Sequence, residues 1–592
     1  MKKVTGFRLL VTVFCFLFSL FTVPCYLSTV SAVANPLSVP NNKFGIHIIT
    51  ASPDESSPAA ELVNTNGDWG YITVIIEQKD KVQGKWQEFF NDLRRRHLIP
   101  IVRLATETAG QSWKRPNLDD ANSWADFLNS LNWPTKNRYI VIFNEPNQAH
   151  EWGGVVDAKS YAQVLDKWIT ALKQRSDDFF ILNAGLDASA PQESPNFEDE
   201  VIFLQEMESV VPGILNRLDG WDSHSYPNPN FVGSPEAVGR GTVRTWYWEL
   251  LVLESLGVTK KLPVFITETG WKHAEGLNYN SSLPPADRLS NFYKNAFENA
   301  WSSQQVVAVT PFLLNYQETP FDHFSFKKLT TNPVENVANP SKYYSFYDAL
   351  KALPKTIGKP IQTLAAQLLK GEVYSSIVAG EKYSISLTFK NTGQSIWDPS
   401  TSSGQVTLRA VSGGKELGIQ DVSVNEQVLS FGNKSVQPGE DYTFTINIKA
   451  PEKGIFNVKL NLFEGERQFE SKPLEFVSEV KLPVILQILN TLKWKKNPAG
   501  EYILRVSGVA GDSSQTITLD NNGKSSEIEA KYLLPDYGFD FTLEKVNYHP
   551  KTIHQTVRPG LNTLNFGELQ PTLLQVLLFS PTKFWQLLPF SN

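Results

Sequence analysis

Past residue 34 this chain contains no cysteine: its 2 cysteines, Cys15 and Cys25, both lie in the opening segment of the 592 residues. That rules out disulfides, a cysteine nucleophile and cysteine-ligated metal in everything that follows. Histidine is also scarce. The 8 histidines are scattered, with no His-Glu-x-x-His or similar paired spacing, so neither a catalytic metal nor any other cofactor is expected. There is no basic block, and the net charge is only -6, which argues against nucleic acid as a partner. No glycine-rich loop opens a helix in the way a phosphate cradle requires. Asp520-Asn521-Asn522-Gly523 has part of the spacing of a calcium loop but lacks the rest, and reads as a hairpin turn.

What is present is a long chain of ordinary globular composition, 41% hydrophobic and 20% charged, too long for a single core. Residues 1–34 read as an export signal. Lys2, Lys3 and Arg8 precede the apolar run LLVTVFCFLFSLFTVPCYL, and Ala32-Val33-Ala34 supplies small residues at a cleavage site. The expected location is therefore secreted or at the cell surface. The run is long for a signal peptide, so an uncleaved anchor giving membrane association is the rival reading, which Pro24 weakens. Pro24 directly before Cys25 also fits a lipoprotein signal poorly.

From 35 to 358 strand-like and helix-like segments alternate. The apolar runs lie at 44–50, 71–77, 98–105, 139–145, 179–186, 218–226, 262–268 and 306–314, with amphipathic stretches such as SYAQVLDKWITALKQR between them. Eight β/α units of this size predict a (β/α)8 TIM barrel. Beyond it the period changes to two, as in YTFTINIKA and FNVKLNLFE, predicting an Ig-like β-sandwich over 359–478. A second β-sandwich module is expected over 479–592. It ends in the apolar tail LLQVLLFSPTKFWQLLPF, which its prolines and lysine make too interrupted to span a bilayer.

Two glutamates carry the chemistry. Glu145 in YIVIFNEPN and Glu268 in LPVFITETGW each follow a buried-strand pattern, the fourth and the seventh. Carboxylates there face the C-terminal mouth of a barrel, and a pair of them is what glycosidic hydrolysis needs: one protonated to assist the leaving oxygen, one ionised to attack the anomeric carbon.

Asn144-Glu145-Pro146 after an apolar strand resembles the acid/base signature of clan A of the glycoside hydrolases, a likeness that covers roughly residues 40–355. The resemblance implies Glu145 as acid/base, Glu268 as nucleophile, and Asn144 on the sugar 2-hydroxyl. It also implies a histidine and a tyrosine after strand six, matched by His224 and Tyr226, and an early arginine, matched by Arg103, that keeps the nucleophile ionised. Trp271 and Trp152 are candidates for stacking on sugar rings. Of 15 tryptophans, 12 precede residue 355, which leans toward a sugar cleft although a large barrel also needs aromatic filler. The clan usually ends strand eight with a tryptophan, whereas this chain has Phe312, Asn315 and Tyr316 there, which leaves the sugar open. LTFKNTGQSIW, around Asn391 and Trp397, resembles Ig-like modules appended to bacterial surface enzymes.

These features predict an exported retaining glycosidase acting on a β-linked glycan. The competing reading is a surface protein that only binds glycan. Transglycosylation would use the same residues, and no motif distinguishes it.

Overall fold

A computed structural model describes residues 33–330, 342–401, 404–425, 435–508, 511–574 and 577. The signal-like run through residue 32 and nearly all of the apolar C-terminal tail lie outside them, with the expectations placed there. No helix among the described residues is long and apolar enough to cross a membrane. The chain divides into two compact units, Met1–Thr363 and Leu364–Asn592.

In the first unit parallel strands and α-helices alternate. The order is β1 (Gly45–His47), α1 (Pro53–Asn64), β2 (Gly70–Glu77), α2 (Gln83–Arg95), β3 (Leu98–Ala105), α3 (Asp120–Asn129), β4 (Arg138–Val141), α4 (Ala158–Arg175), β5 (Phe179–Leu182), α5 (Glu200–Val210), β6 (Trp221–His224), α6 (Thr245–Ser255), β7 (Val264–Glu268), α7 (Ala286–Asn295), β8 (Val306–Val309) and α8 (Ser345–Ala352). These eight strands pair in parallel, β1 to β5 in one sheet and β6 to β8 in another, and a short antiparallel hairpin of Thr108–Ala109 with Ser112–Trp113 follows β3. A parallel bridge from Phe44 to Val309 joins β1 to β8. On the other side Asp219 N donates to Ile181 O at 2.9 Å, and Asp222 N to Asn183 Oδ1 at 2.8 Å.

The strands read as continuous apolar runs because both faces are buried. Ile72, Val74 and Ile76, with Leu98, Val102 and Leu104, face the helices in one core. The alternate residues Tyr71, Ile99, Ile101, Tyr139, Val141, Phe180, Leu182 and Phe265 form a second core inside the strands. Period-two alternation thus sorts one strand between two cores, and it puts Arg103 on the same inner face as Ile99 and Ile101. The helices begin where the sequence can satisfy their free N–H groups. Asp157 caps α4 through Ser160 N, and Asp199 caps α5 through Val201 and Ile202 N.

The strands end earlier than the apolar runs predict. β4 stops at Val141 and not at Glu145, because Phe143 (φ 70°) and Glu145 (φ 32°) leave the extended region. β5 likewise stops at Leu182.

The second unit is all-β and holds two separate apolar cores. In the first, Ile385, Leu387, Phe444 and Ile446 of a three-stranded sheet meet Leu408, Leu460 and Leu462 of a second sheet. In the other, Leu486 and Phe566 meet Leu504, Phe541 and Leu543. The predicted cut at 478 falls inside the strand Leu474–Lys481, and the cores change over between Val480 and Val484. Trp397 is fully buried, and the Asn391 amide donates to Ser395 O and Val436 O, so both residues of that motif serve the core. Asp520–Gly523 is a tight turn: Asp520 Oδ1 accepts from Asn522 N and Lys524 N, both at 2.9 Å.

Glu200 and Glu249 are completely buried side by side on α5 and α6. Burial raises both carboxyls, Glu200 well above the ordinary range and Glu249 to about 7; Trp221 Nε1 donates to Glu249 at 3.1 Å. Because both bind protons more tightly folded than unfolded, the contribution of this pair to stability is fullest below about pH 4.5 and is lost as pH rises through 7. Glu200→Gln should remove much of this loss, stabilising the protein at pH 8 by on the order of 2 kcal/mol relative to pH 5. Thermal unfolding of both forms at the two pH values measures it; parallel profiles would refute it.

Candidate active site

At the C-terminal ends of the strands is a cleft of about 740 Å³. Arg103, Asn144, Glu145, His224, Tyr226 and Glu268 all line it. These residues come from the ends of four different strands.

Glu268 ends β7, and a bulge aims it. Asp222 pairs with Phe265, but His224 pairs with Glu268, so three residues of β7 oppose two of β6. Strict alternation from Phe265 would turn Thr267 inward and Glu268 outward. The bulge brings Glu268 round beside His224. There its Oε1 accepts from Arg103 Nη1 at 2.7 Å and its Oε2 from the Tyr226 hydroxyl at 3.0 Å. The same Arg103 nitrogen donates to Asn144 Oδ1. That leaves the Asn144 NH2, which has no hydrogen-bond partner among the described residues, free to donate into the cleft.

Glu145 lies in the loop after β4, with a left-handed backbone that only the surrounding hydrogen bonds make tolerable. Its N–H donates to Gly185 O at 3.1 Å. Its Oε1 meets His224 Nδ1 at 2.8 Å, and its Oε2 accepts from Gln148 Nε2 at 2.9 Å. His224 Nδ1 is also 3.7 Å from Glu268 Oε2. One ligand-type atom from each of Glu145, His224 and Glu268 lies within 4.8 Å of the others.

The environments of the two carboxyls drive their proton affinities apart. Burial raises Glu145 to about 7; His224 opposes this, while the negative charges of Asp187 and Glu268 add to it. Burial also pushes Glu268 upward, but the His224 and Arg103 charges and the Tyr226 hydrogen bond overcome it and hold Glu268 below the ordinary carboxylate range. Burial opposes protonation of His224 too, yet Glu268, Glu145 and Asp222 raise it to about 10, so it is an imidazolium at neutral pH. His47, 3.8 Å from Glu268, is fully buried and lowered to about 3, hence neutral. The cations that balance the pair are therefore His224 and Arg103. Two groups titrating apart in this way form an acid and an anion.

Trp152 and Trp271 are not sugar platforms. Each is only 1% exposed. Trp152 packs on Phe143 and Tyr161, and Trp271 packs on Tyr293 and Trp301 while donating to Gly233 O at 2.7 Å. Both face inward under their loops, where they fill the core. The cleft's aromatic wall comes instead from Trp113, Phe312, Tyr316 and Phe321. Phe312, at the position after strand eight, covers His47 with ring centroids 5.2 Å apart.

Sequence reasoning missed His47, Gln148, Asp187 and Trp113. His47 was findable: it alternates with the outward Ile46 and Ile48 at the end of the first apolar run. Gln148 and Asp187 carry no such pattern, because loop geometry alone brings them to Glu145.

No protein-family model matches the chain, and no curated protein matches it. Among solved structures it is similar to an FMN-binding β-glucuronidase from Faecalibacterium prausnitzii, at 10% identity and TM-score 0.32. That match covers 74% of this chain and 56% of the other, so the chain spans little more than half of that protein. It is also similar to a family 39 glycoside hydrolase from Bacteroides cellulosilyticus, at 13% identity and TM-score 0.35 over 70% of this chain and 81% of that one. A similar match, at 14% identity and TM-score 0.35, is to fungal β-1,4-galactanase, over 51% and 91% of the two chains. At these scores the reading of the site stands on its own geometry.

Gly185 is the support for His224. A Cβ there would lie 2.1 Å from His224 Cδ2 and 2.5 Å from Nε2, closer than any side chain tolerates. Gly185→Ala should push the imidazole off Glu145 and let its titration fall from about 10 toward the ordinary ~6.5. NMR titration of the imidazole nitrogens reads this directly, and an unchanged midpoint would contradict it.

Proposed function

We propose that this chain is an exported retaining glycoside hydrolase, cleaving a β-linked glycan by double displacement at the mouth of a closed (β/α)8 barrel. The observation that carries this reading is the pair of carboxyls, with one oxygen of Glu145 and one of Glu268 within 4.8 Å of each other. A retaining pair stands about 5 Å apart, whereas an inverting pair is separated by about 6.5–9.5 Å to admit a water molecule.

Glu145, protonated near neutral pH, gives its proton to the glycosidic oxygen as the bond to the anomeric carbon breaks. Glu268, held ionised by Arg103 and His224, attacks that carbon and forms a glycosyl ester. The departing sugar leaves room for water. Glu145, now ionised, takes the water's proton, the new C–O bond forms, and Glu268 departs as carboxylate. The Asn144 amide is placed to donate to the sugar 2-hydroxyl. Tyr226 holds the oxygen of Glu268 that Arg103 does not.

The aromatic wall of Trp113, Tyr316 and Phe321 suits the apolar faces of pyranose rings. We assign the Leu364–Asn592 unit an accessory role, as Ig-like spacers or glycan-binding platforms. The signal-like composition of the N-terminal segment supports export of the enzyme.

The protein should release reducing ends from one of β-glucan, mannan, xylan or galactan. Glu268→Gln should cut kcat by at least ~10³-fold, and NMR should find the product first released with the substrate's anomeric configuration. Release of the opposite anomer would refute the retaining mechanism. Binding with no hydrolysis of any glycan would favour the binding-protein reading.

The rate should be bell-shaped in pH. The acid limb reports Glu268 and should lie below the usual carboxylate range; the alkaline limb reports Glu145 and should lie near 7. Removing the carboxyl with Glu145→Gln should abolish the alkaline limb. A limb unchanged in that variant would show that some other group is the acid.

A further inference from the structure

We infer that Gln148 and Asp187 are positioning residues for Glu145: Asp187 anchors the Gln148 amide, and that amide fixes the second oxygen of the Glu145 carboxyl. Gln148 Nε2 donates at 2.9 Å to Glu145 Oε2 and at 3.1 Å to Asp187 Oδ2. Two carboxylates converging on one side chain need a donor with two hydrogens, and a primary amide supplies one to each. With His224 on Oε1 and Gln148 on Oε2, the plane of the Glu145 carboxyl is set, and its proton is presented in one direction.

Asp187 is itself tightly held. Its Oδ1 accepts from Ser189 N at 2.8 Å. Its backbone is pinned at both ends by the buried Asn147: Asp187 N donates to Asn147 Oδ1 at 3.1 Å, and Asn147 Nδ2 to Asp187 O at 2.9 Å. Glu145 N on Gly185 O adds a third link between the loops after β4 and β5. The loop after β5 thereby supports a residue on the loop after β4. This role rests on the assignment of Glu145 as acid/base.

The two residues act on the charge of Glu145 in opposite senses. The Asp187 anion disfavours a second carboxylate beside it, while the Gln148 N–H favours one. The other charged or titratable groups facing Glu145 are His224, Glu268, His150 and Tyr226. Asp187 also faces His224 and His150, so Asp187→Asn acts on those two imidazoles as well, whereas Gln148→Leu removes no charge.

The test uses the full chain as wild type, Asp187→Asn and Gln148→Leu, in two measurements. In the first, protein labelled with [13Cδ]glutamate is titrated by NMR, the Glu145 signal being assigned through Glu145→Gln. Asp187→Asn should lower the Glu145 midpoint and Gln148→Leu should raise it. Unchanged midpoints, or shifts of the same sign, would overturn the inference, and this arm needs no substrate.

In the second, kcat/KM is compared on phenyl and 2,4-dinitrophenyl β-glycosides of glucose, xylose, galactose, mannose and cellobiose. A phenolate of high pKa needs the proton from Glu145; a dinitrophenolate does not. Both variants should lose at least ~10-fold more on the phenyl than on the dinitrophenyl substrates. Equal losses would mean a merely structural role. If Glu145→Gln shows the leaving-group dependence and these two variants do not, the inference fails while the glycosidase reading stands. If Glu145→Gln shows none either, the assignment of Glu145 falls, and the role of its supports with it.

Discussion

The whole site depends on one buried imidazolium. Two carboxyl groups within 4.8 Å of each other, both shielded from water, would repel by about 3–4 kcal/mol if both were ionised, before the cost of burying them. His224 lies between them, 2.8 Å from Glu145 and 3.7 Å from Glu268. Its charge, with that of Arg103, lets Glu268 stay ionised while Glu145 keeps a proton to near neutrality. Gly185 is required because the imidazole lies against its Cα. The bulge in β7 is required because it turns Glu268 to the same side.

The fold holds these groups still by layering. An aromatic plug of Tyr71, Tyr139, Phe180 and Phe265 fills the inside of the strands, with ring centroids 5.0–6.2 Å apart. A polar layer follows in which Thr73 and Thr310 bond at 2.8 Å and Thr267 donates to Asp222 at 2.6 Å. The charged groups of the cleft stand at the strand ends beyond it. Each layer packs on the one before it: β7 places Glu268, β3 and β6 place the Arg103 and His224 charges beside it, and the loops after β4 and β5 hold Glu145.

Much of this was legible in the residues. Apolar runs that alternate between two cores have a period and a composition of their own, which is why all eight strands, both glutamates, Arg103 and His224 could be located. Tyr226 was found for an incomplete reason. It lies two residues past the end of β6, yet its hydroxyl reaches Glu268. Trp152 and Trp271 failed because a tryptophan near a strand end satisfies a core as well as a cleft, and only packing decides which. Gln148 and Asp187 were invisible: residues 39 apart in sequence meet through loop paths that no periodicity encodes.

By itself, the sequence determined which elements form, in what order, and which chemistry is available, since those follow from local pattern and residue type. A chain without cysteine past residue 34, with glutamates at the ends of its fourth and seventh apolar runs, offers carboxyls and not thiols as its candidate reagents. Only the tertiary structure decided their distance, their orientation and their charge. Those depend on a one-residue bulge, a positive φ at Glu145 and the burial of His224, and each arises from contacts between segments far apart in the chain.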